Sequence, residues 1–316
     1  MTTSYNFNSP LTEWGNYTGK YHMIRRVYEE AVAKGIFPRT RLPDVPPYVH
    51  PKNYLALSFT KVLPFAEMLK LVPKYSTSSG RAPNMEALGQ NFGFILYRVE
   101  GKLPLQNYSI DDPVNDRSVL YIDGAEVAIN NEPLEEPFVY NISSSNLDHS
   151  KEEHSFDLLV ENQGRVNFGI FMQTQRKGLH NSEIKLDGRP VANITTYSLE
   201  LNSSFVDSLQ QLKVAPEGPW IQVKNFKHQN APAMYSALLY LSLHEEPGDT
   251  FVELPGWTKG NVFVNGFNLG RYWEIGPLKT LYLPGPLLRR GNNRVDVFEL
   301  HRAGKELHFI DHPKLF

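Results

Sequence analysis

The sequence predicts a mainly β protein, with two antiparallel β-sandwiches in tandem behind a short helical lead-in. Three observations predict it. Beyond Ala87 the chain becomes a run of short alternating apolar segments separated by Gly, Asn, Asp and Pro, the texture of antiparallel sheets. That β region then repeats its own order of elements. Finally, a hydrophobic share of 41% is enough for buried cores, while no apolar run reaches the ~18 residues of a membrane span.

The lead-in comes first. Ile24, Val27, Tyr28 and Ala31 fall at i, i+3, i+4 and i+7, one apolar stripe of a helix, and Gly35 stands where a C-terminal cap belongs. The proline-studded connector FPRTRLPDVPPYVHPKNY that follows is expected to be extended. A short helix is predicted from Pro64 to Val72, with the proline in its first turn.

The repeat is read from three matched segments. Phe94-Ile95-Leu96-Tyr97, Val119-Leu120-Tyr121-Ile122-Asp123-Gly124 and Phe156-Asp157-Leu158-Leu159-Val160-Glu161 recur as Ala237-Leu238-Leu239-Tyr240, Val262-Phe263-Val264-Asn265-Gly266 and Val295-Asp296-Val297-Phe298-Glu299-Leu300. Two similar sandwiches are the simplest account; chance agreement of degenerate strand patterns is the other. In each copy an Asp-Gly or Asn-Gly follows the middle strand and supplies the two positive-φ residues of a type I′ hairpin turn.

The aromatics around the second turn, Trp257, Tyr272 and Trp273, fit two readings. They could form a platform for the C–H face of a sugar, or they could plug the core; beside a hairpin, such a cluster is usually core. Arg271 is a cation–π partner or a surface charge.

Candidate chemistry is sparse. The absence of cysteine excludes disulfides, thiol catalysis and thiolate metal sites, and a net charge of −2 without a basic stripe gives no nucleic-acid signature. His149-Ser150-Lys151-Glu152-Glu153-His154 spaces its histidines five apart, not the i, i+4 of a helical metal pair, and reads as a solvated turn. His308 and His312 lack an evident third ligand. No Gly-rich phosphate loop and no G-x-S-x-G elbow is present. The adjacent pairs Glu135/Glu136, Glu152/Glu153 and Glu245/Glu246 would point to opposite faces of a strand and read as loop charge, unlike the facing carboxylates of a glycosidase. The residues alone predict no catalytic site, no metal and no cofactor.

Five N-glycosylation triplets begin at Asn16, Asn107, Asn141, Asn193 and Asn202. Together they point to the secretory route, although MTTSYNFNSP has neither the basic nor the apolar region of a signal peptide; the two expectations are a cytosolic protein whose triplets are idle, or a chain that lacks its true beginning.

Several stretches are similar to glycoside hydrolase family 35, the β-galactosidases, and within it to the animal lysosomal branch and its relatives: TTSYNFNSPLTEWGNYTGKYHMIR at the start, LLVENQGRVNFG at 158–169, KGLHNSEIKLDG at 177–188 and PGWTKGNVFVNGFNLGRYW at 255–273. They occur in the family's order along nearly the whole chain. The resemblance implies a fold of two tandem jelly-roll, galactose-binding-like β-sandwiches preceded by a remnant of a (β/α)8 barrel, its last βα unit. Residues 1–36 would be that remnant, 37–75 a linker with a short helix, 76–200 the first sandwich and 201–316 the second.

The family's activity is retaining removal of terminal β-linked galactose without a cofactor, in the lysosome or outside the cell. Its acid/base and nucleophile glutamates precede the last βα unit, so the resemblance implies that this chain is inactive alone and that galactoside glycans engage the missing barrel. At the eighth strand the family reads S-Y-D-Y-D; here Ser4-Tyr5-Asn6-Phe7-Asn8 leaves Phe7, with Tyr5, as the sugar-contacting positions, and Phe7 brings a ring without a hydroxyl. Plain barrel packing is the alternative for both. A sugar-capturing module and a pure scaffold are the competing functions. The unpaired strand and helix of a barrel remnant also predict uncovered apolar surface and association between copies.

Overall fold

In the computed structural model, residues 8–38, 41–102, 104–134, 136–143, 147, 150–170, 172–226 and 231–314 are described. The chain divides into two compact units. One takes residues up to Val62, Trp220–Phe226 and everything from Met234 on; the other takes Leu63–Pro219 and the residues up to Ala233.

The second of these units is a β-sandwich. One sheet orders its strands Lys74–Thr77, Ile194–Leu199, Phe94–Lys102, Glu153–Glu161, Arg117–Ile122 and Ala125–Asn130. The other runs Phe138–Asn141, Asn107–Ile110, Ser182–Leu186 and Arg189–Pro190, with Arg81–Ala82 also pairing on Ser182–Leu186. Alternate residues of each sheet meet in a common core: Ile95, Tyr97, Val99, Leu120, Phe156, Leu158 and Val160 from the first, Tyr108, Ile110, Ile184 and Leu186 from the second.

The other unit repeats the plan. A six-stranded sheet orders Ile221–Gln222, Lys61–Pro64, Ala233–Leu241, Gly291–Glu299, Lys259–Val264 and Phe267–Trp273. A four-stranded sheet orders Leu55–Ser58, Glu306–Ile310, Thr250–Glu253 and Thr280–Leu283.

The sequence repeat has its counterpart in topology. In each larger sheet the first repeat strand is followed by the third, then by the second with its hairpin partner: 94–102, 153–161, 117–122 and 125–130 in one, 233–241, 291–299, 259–264 and 267–273 in the other. The hairpin turns match, with φ of 51° and 83° at Asp123 and Gly124 and 50° and 83° at Asn265 and Gly266. Both hairpins also carry a β-bulge in the same place. A register shift between Leu120 and Tyr121 makes Val127 the extra residue of its strand, and the shift between Val262 and Phe263 makes Leu269 the extra residue of the other. Each is the third residue after the turn glycine, and each is apolar.

The lead-in helix spans Gly19–Ala33 and ends as its sequence predicts. Gly35 adopts φ 72°, its N–H donates to the Val32 carbonyl, and Ile36 N–H reaches back to Ala31, the two bonds of a Schellman cap. Its stripe is uncovered: Ile24, Val27 and Tyr28 are exposed, and no residue of the helix is buried. The predicted 64–72 helix is shorter, Phe65–Leu69, with Pro64 as its N-cap.

Candidate functional site

The residues expected to touch sugar, Tyr5 and Phe7, lie outside the described residues, as do Glu135 and His149. The remaining candidates are placed by the two sandwiches.

Trp257, Tyr272 and Trp273 come together at the end of the hairpin of the second repeat, around a cleft of about 270 Å³ whose other walls include Glu253, Leu278 and Lys314. Two of the three rings belong to the core. Trp257 is 1% exposed, packs edge-on against Phe59 and Tyr235 with centroids 5.0 and 5.1 Å away, and donates its Nε1–H to the Glu306 carbonyl at 2.9 Å. Tyr272 is buried and its hydroxyl donates to Glu299 Oε2 at 2.8 Å. All three line the cleft, and of them Trp273 is the half-buried one. The Lys259 ammonium lies 4.6 Å from the centre of that ring, close enough for a cation–π contact.

Glu299 ties this corner together. Besides the Tyr272 hydroxyl it accepts the backbone N–H groups of Thr258, Lys259 and His301 at 2.9, 3.2 and 2.8 Å. Burial pushes its carboxyl above the ordinary carboxylate range, against the pull of these donors. Burial also raises the Tyr272 hydroxyl well above 10.0, and the neighbouring Glu299 charge adds to it. The glycine opposite Glu299, Gly260, has no room for a side chain: a Cβ there would stand 1.8 Å from the Phe298 carbonyl oxygen.

The other strongly buried acids are also engaged. Both oxygens of Asp116 lie 2.6 Å from the Lys177 ammonium, Asp157 forms a bidentate pair with Arg98 at 2.7 and 2.6 Å, and Asp296 accepts from Arg294 at 2.5 Å. In the cleft itself, Glu253 is paired with Lys314 at 2.7 Å. A second open cleft of about 270 Å³ gathers Arg98, Glu100, Glu153 and Asn193 on the sheet of the first sandwich. Its two glutamates are diagonal neighbours across Phe94–Lys102 and Glu153–Glu161, and both are exposed.

The histidine stretch is corrected. Instead of lying in a solvated turn, His154 belongs to the strand Glu153–Glu161 and is 0% exposed, with Nδ1 2.7 Å from Asp123 Oδ2. The period-2 pattern His154, Phe156, Leu158, Val160 was the signal for it. His308 meets Glu306 at 2.9 Å and His312 meets Asp311 at 2.7 Å. Among the described residues, no group of three or more His, Asp or Glu is arranged to hold a metal ion. No helix of the described residues is long and apolar enough to cross a membrane.

Two family profiles match these sandwiches. Residues 83–200 match "Beta-galactosidase, first all-beta domain" and residues 232–293 match "Beta-galactosidase, galactose-binding domain". The chain is 35% identical to human beta-galactosidase-1-like protein 2 over 321 residues, which is 99% of this chain and 46% of that protein. It is 32% identical to mouse beta-galactosidase-1-like protein 3, over 100% of this chain and 45% of that protein. Beta-galactosidase 1 of Dictyostelium discoideum is 30% identical over 98% of this chain and 47% of its own length. The chain thus spans about half the length of the curated relatives it matches. It belongs to the β-galactosidase family, glycoside hydrolase family 35, and corresponds to its C-terminal β-domains.

Proposed function

We propose that these residues are the non-catalytic β-domains of a retaining exo-β-galactosidase, a lysosomal or secreted hydrolase that removes terminal β-linked galactose from glycoconjugates without a cofactor. In this reading residues 1–36 are the last βα unit of a barrel and the two sandwiches brace it. The stretch 37–75 is a tether only in its first part, because Leu55–Ser58 and Lys61–Pro64 are strands of the sandwich that holds the second repeat and Lys74–Thr77 is a strand of the first. The observation that carries the reading is the similarity to β-galactosidase relatives along 99% of the chain, together with the two β-galactosidase domain profiles that match within it. The geometry supports it as well: the buried acids Asp116, Asp157, Asp296 and Glu299 are committed to cations or to several donors and serve the scaffold. The uncovered stripe of the Gly19–Ala33 helix is what a barrel helix presents to a neighbouring βα unit.

The test is hydrolysis of a chromogenic β-galactoside by the chain purified from a host without β-galactosidase. The expected rate is that of the buffer. Turnover that co-purifies with the chain and survives repeated chromatography would overturn the assignment.

A second reading, capture of galactosides without chemistry, is favoured by one observation: the profile described as galactose-binding covers the strand that presents Trp273 to its cleft. Tryptophan fluorescence titrated with galactose decides between them. A saturable change lost in Trp273→Ala supports capture, and a flat response at millimolar sugar removes it.

A further inference from the structure

The fold gives the five sequon asparagines different settings. Asn107 and Asn141 are cross-strand partners in the antiparallel pair of Asn107–Ile110 with Phe138–Asn141. The Ile142 N–H donates to the Gln106 carbonyl at 2.8 Å, so the pair at 142 and 106 is the hydrogen-bonded one. The pair at 141 and 107 is then non-hydrogen-bonded, the kind in which facing side chains come closest. Asn107 turns its backbone the other way: its N–H donates to Asp187 Oδ1 at 2.9 Å, and its carbonyl accepts from the Asp187 N–H at 3.0 Å. Opposite residues share a face of the sheet, with Cβ atoms about 4.5–5.5 Å apart. Two branched oligosaccharides leaving that face from neighbouring nitrogens would need the same space for their first sugars.

The two positions are not equal. Phe138–Asn141 is the edge strand of its sheet and Asn141 is exposed, whereas Asn107 is half-buried on the next strand in. Ser109, which completes the Asn107 triplet, is 8% exposed, while Ser143 of the Asn141 triplet is exposed.

The other three sequons differ in the same physical terms. Asn193 is exposed beside the open cleft of Arg98, Glu100 and Glu153. Asn202 is the N-cap of the helix Ser203–Ser208: its Oδ1 accepts from the Phe205 N–H at 2.9 Å and its Nδ2 donates to Glu200 at 3.1 Å. Asn16 is half-buried in a turn, its Oδ1 accepting from the Tyr17 N–H at 2.8 Å, and the Thr18 hydroxyl of its triplet donates to the Pro10 carbonyl at 2.9 Å.

We infer that the folded chain is an N-glycoprotein with glycans at Asn141 and Asn193, that Asn16, Asn107 and Asn202 stay bare, and that Asn107 and Asn141 exclude one another. In the step itself the asparagine amide nitrogen attacks C1 of a lipid-linked oligosaccharide. The N–C1 bond forms, the C1–O bond to the lipid pyrophosphate breaks, the amide gives up one proton, and the lipid pyrophosphate departs. This inference concerns the sandwiches' own surface and stands whether or not the chain braces a barrel.

The experiment secretes the full chain from insect cells behind a cleavable leader. Enzymatic deglycosylation in heavy-oxygen water then marks each formerly occupied asparagine as labelled aspartate, and intact mass counts glycans per molecule. Label is expected at Asn141 and Asn193, with two glycans per molecule. In Asn141→Gln the label at that position is lost and occupancy of Asn107 rises several-fold. Label at Asn202 or Asn16, molecules glycosylated at both Asn107 and Asn141, or an Asn107 that stays bare in Asn141→Gln would overturn the inference. If the chain is retained by the cell, the same count is made on the trypsin-resistant fraction after translation into microsomes, and double occupancy of the facing pair in that fraction is the refuting result.

Discussion

The Lys177 ammonium and the Asp116 carboxylate meet at 2.6 Å through both acid oxygens, almost wholly out of solvent, and they join the two ends of one loop. Asp116 also accepts the Gln163 N–H at 2.8 Å. Glu86 bridges the same two ends, taking the Lys177 N–H at 3.0 Å and the Arg165 guanidinium at 2.5 Å. Between these feet Phe168 and Ile170 stand 89% and 86% exposed. Breaking a buried ion pair strands a charge, so Lys177→Met should destabilise the first sandwich by ~3–5 kcal/mol. Asp116→Leu/Lys177→Met should recover part of that loss. Urea denaturation measures both, and limited proteolysis should show faster cutting within 164–176 in the single variant only.

Stability should also depend on pH through Glu299. Its folded-state pKa is raised by burial above the ordinary 4.5, so between those two values the folded state holds more protons than the unfolded one. Stability is therefore greater below that window and falls as pH rises through it. Glu86 and Asp123 act the other way. Against the upward push of burial, the Lys177 N–H and Arg165 hold Glu86 below its ordinary value, and His154 and the Ser155 N–H do the same for Asp123. Their contribution is present above the ordinary carboxylate range and is lost as pH falls through the lowered values. A stability maximum at mildly acid pH is expected, and Glu299→Gln should flatten its neutral side. Chemical denaturation across the pH range checks both.

Gly260→Ala should prevent folding of the second repeat. The added methyl meets a backbone carbonyl at 1.8 Å, and a main-chain atom in a sheet cannot step aside as a flexible side chain can; ordinary overpacking costs ~1–3 kcal/mol, and this contact exceeds it. Loss of near-ultraviolet dichroism and recovery of the chain only in the insoluble fraction are the expected readouts. Asn265→Ala should cost roughly 2–3 kcal/mol. It removes side-chain bonds to the Leu287 carbonyl, Asn293 and the Arg294 N–H, and puts a non-glycine without a polar side chain at φ 50°.

The Gly19–Ala33 helix should make the chain self-associate. Ile24, Val27 and Tyr28 are exposed along one stripe, with Met23 beside them. Ile24→Lys/Val27→Glu/Tyr28→Lys should lower the sedimentation-average mass at a given concentration while shifting unfolding by less than about 0.5 kcal/mol per site. Unchanged association in that variant would assign the contact to another surface.

What was legible in the sequence is what depends on near neighbours. The Gly35 cap, the Asp123-Gly124 and Asn265-Gly266 turns and the tandem repeat each rest on positive φ or on alternation within a few residues, and all are found. Glycine and proline punctuation also exposes the β texture, so the fold class follows. The strand Leu55–Ser58 was not legible, because its partner is Glu306–Ile310 at the far end of the chain and the exposed, buried and exposed residues it carries spell no local pattern. His154 was missed because a charged run before it outweighed three apolar residues after it. For the aromatic cluster the sequence offered two uses for three rings, and burial divides them: Trp257 and Tyr272 are buried in the core, and of the three that line the cleft Trp273 is the half-buried one. Nothing local distinguishes those rings, since which one is covered depends on Phe59, Tyr235 and Glu299 arriving from elsewhere.

The matching bulges have a consequence for how this chain can change. Val127 and Leu269 each let the strand slip by one place, so every side chain between bulge and turn keeps its side of the layer only while the spacer stays at its present length. Losing a single codon from either spacer would turn part of a hairpin inside out, whereas exchanging the whole hairpin of one sandwich for that of the other would keep the phase. Drift in these two segments is therefore confined to replacement, and recombination between them is the larger step the architecture tolerates.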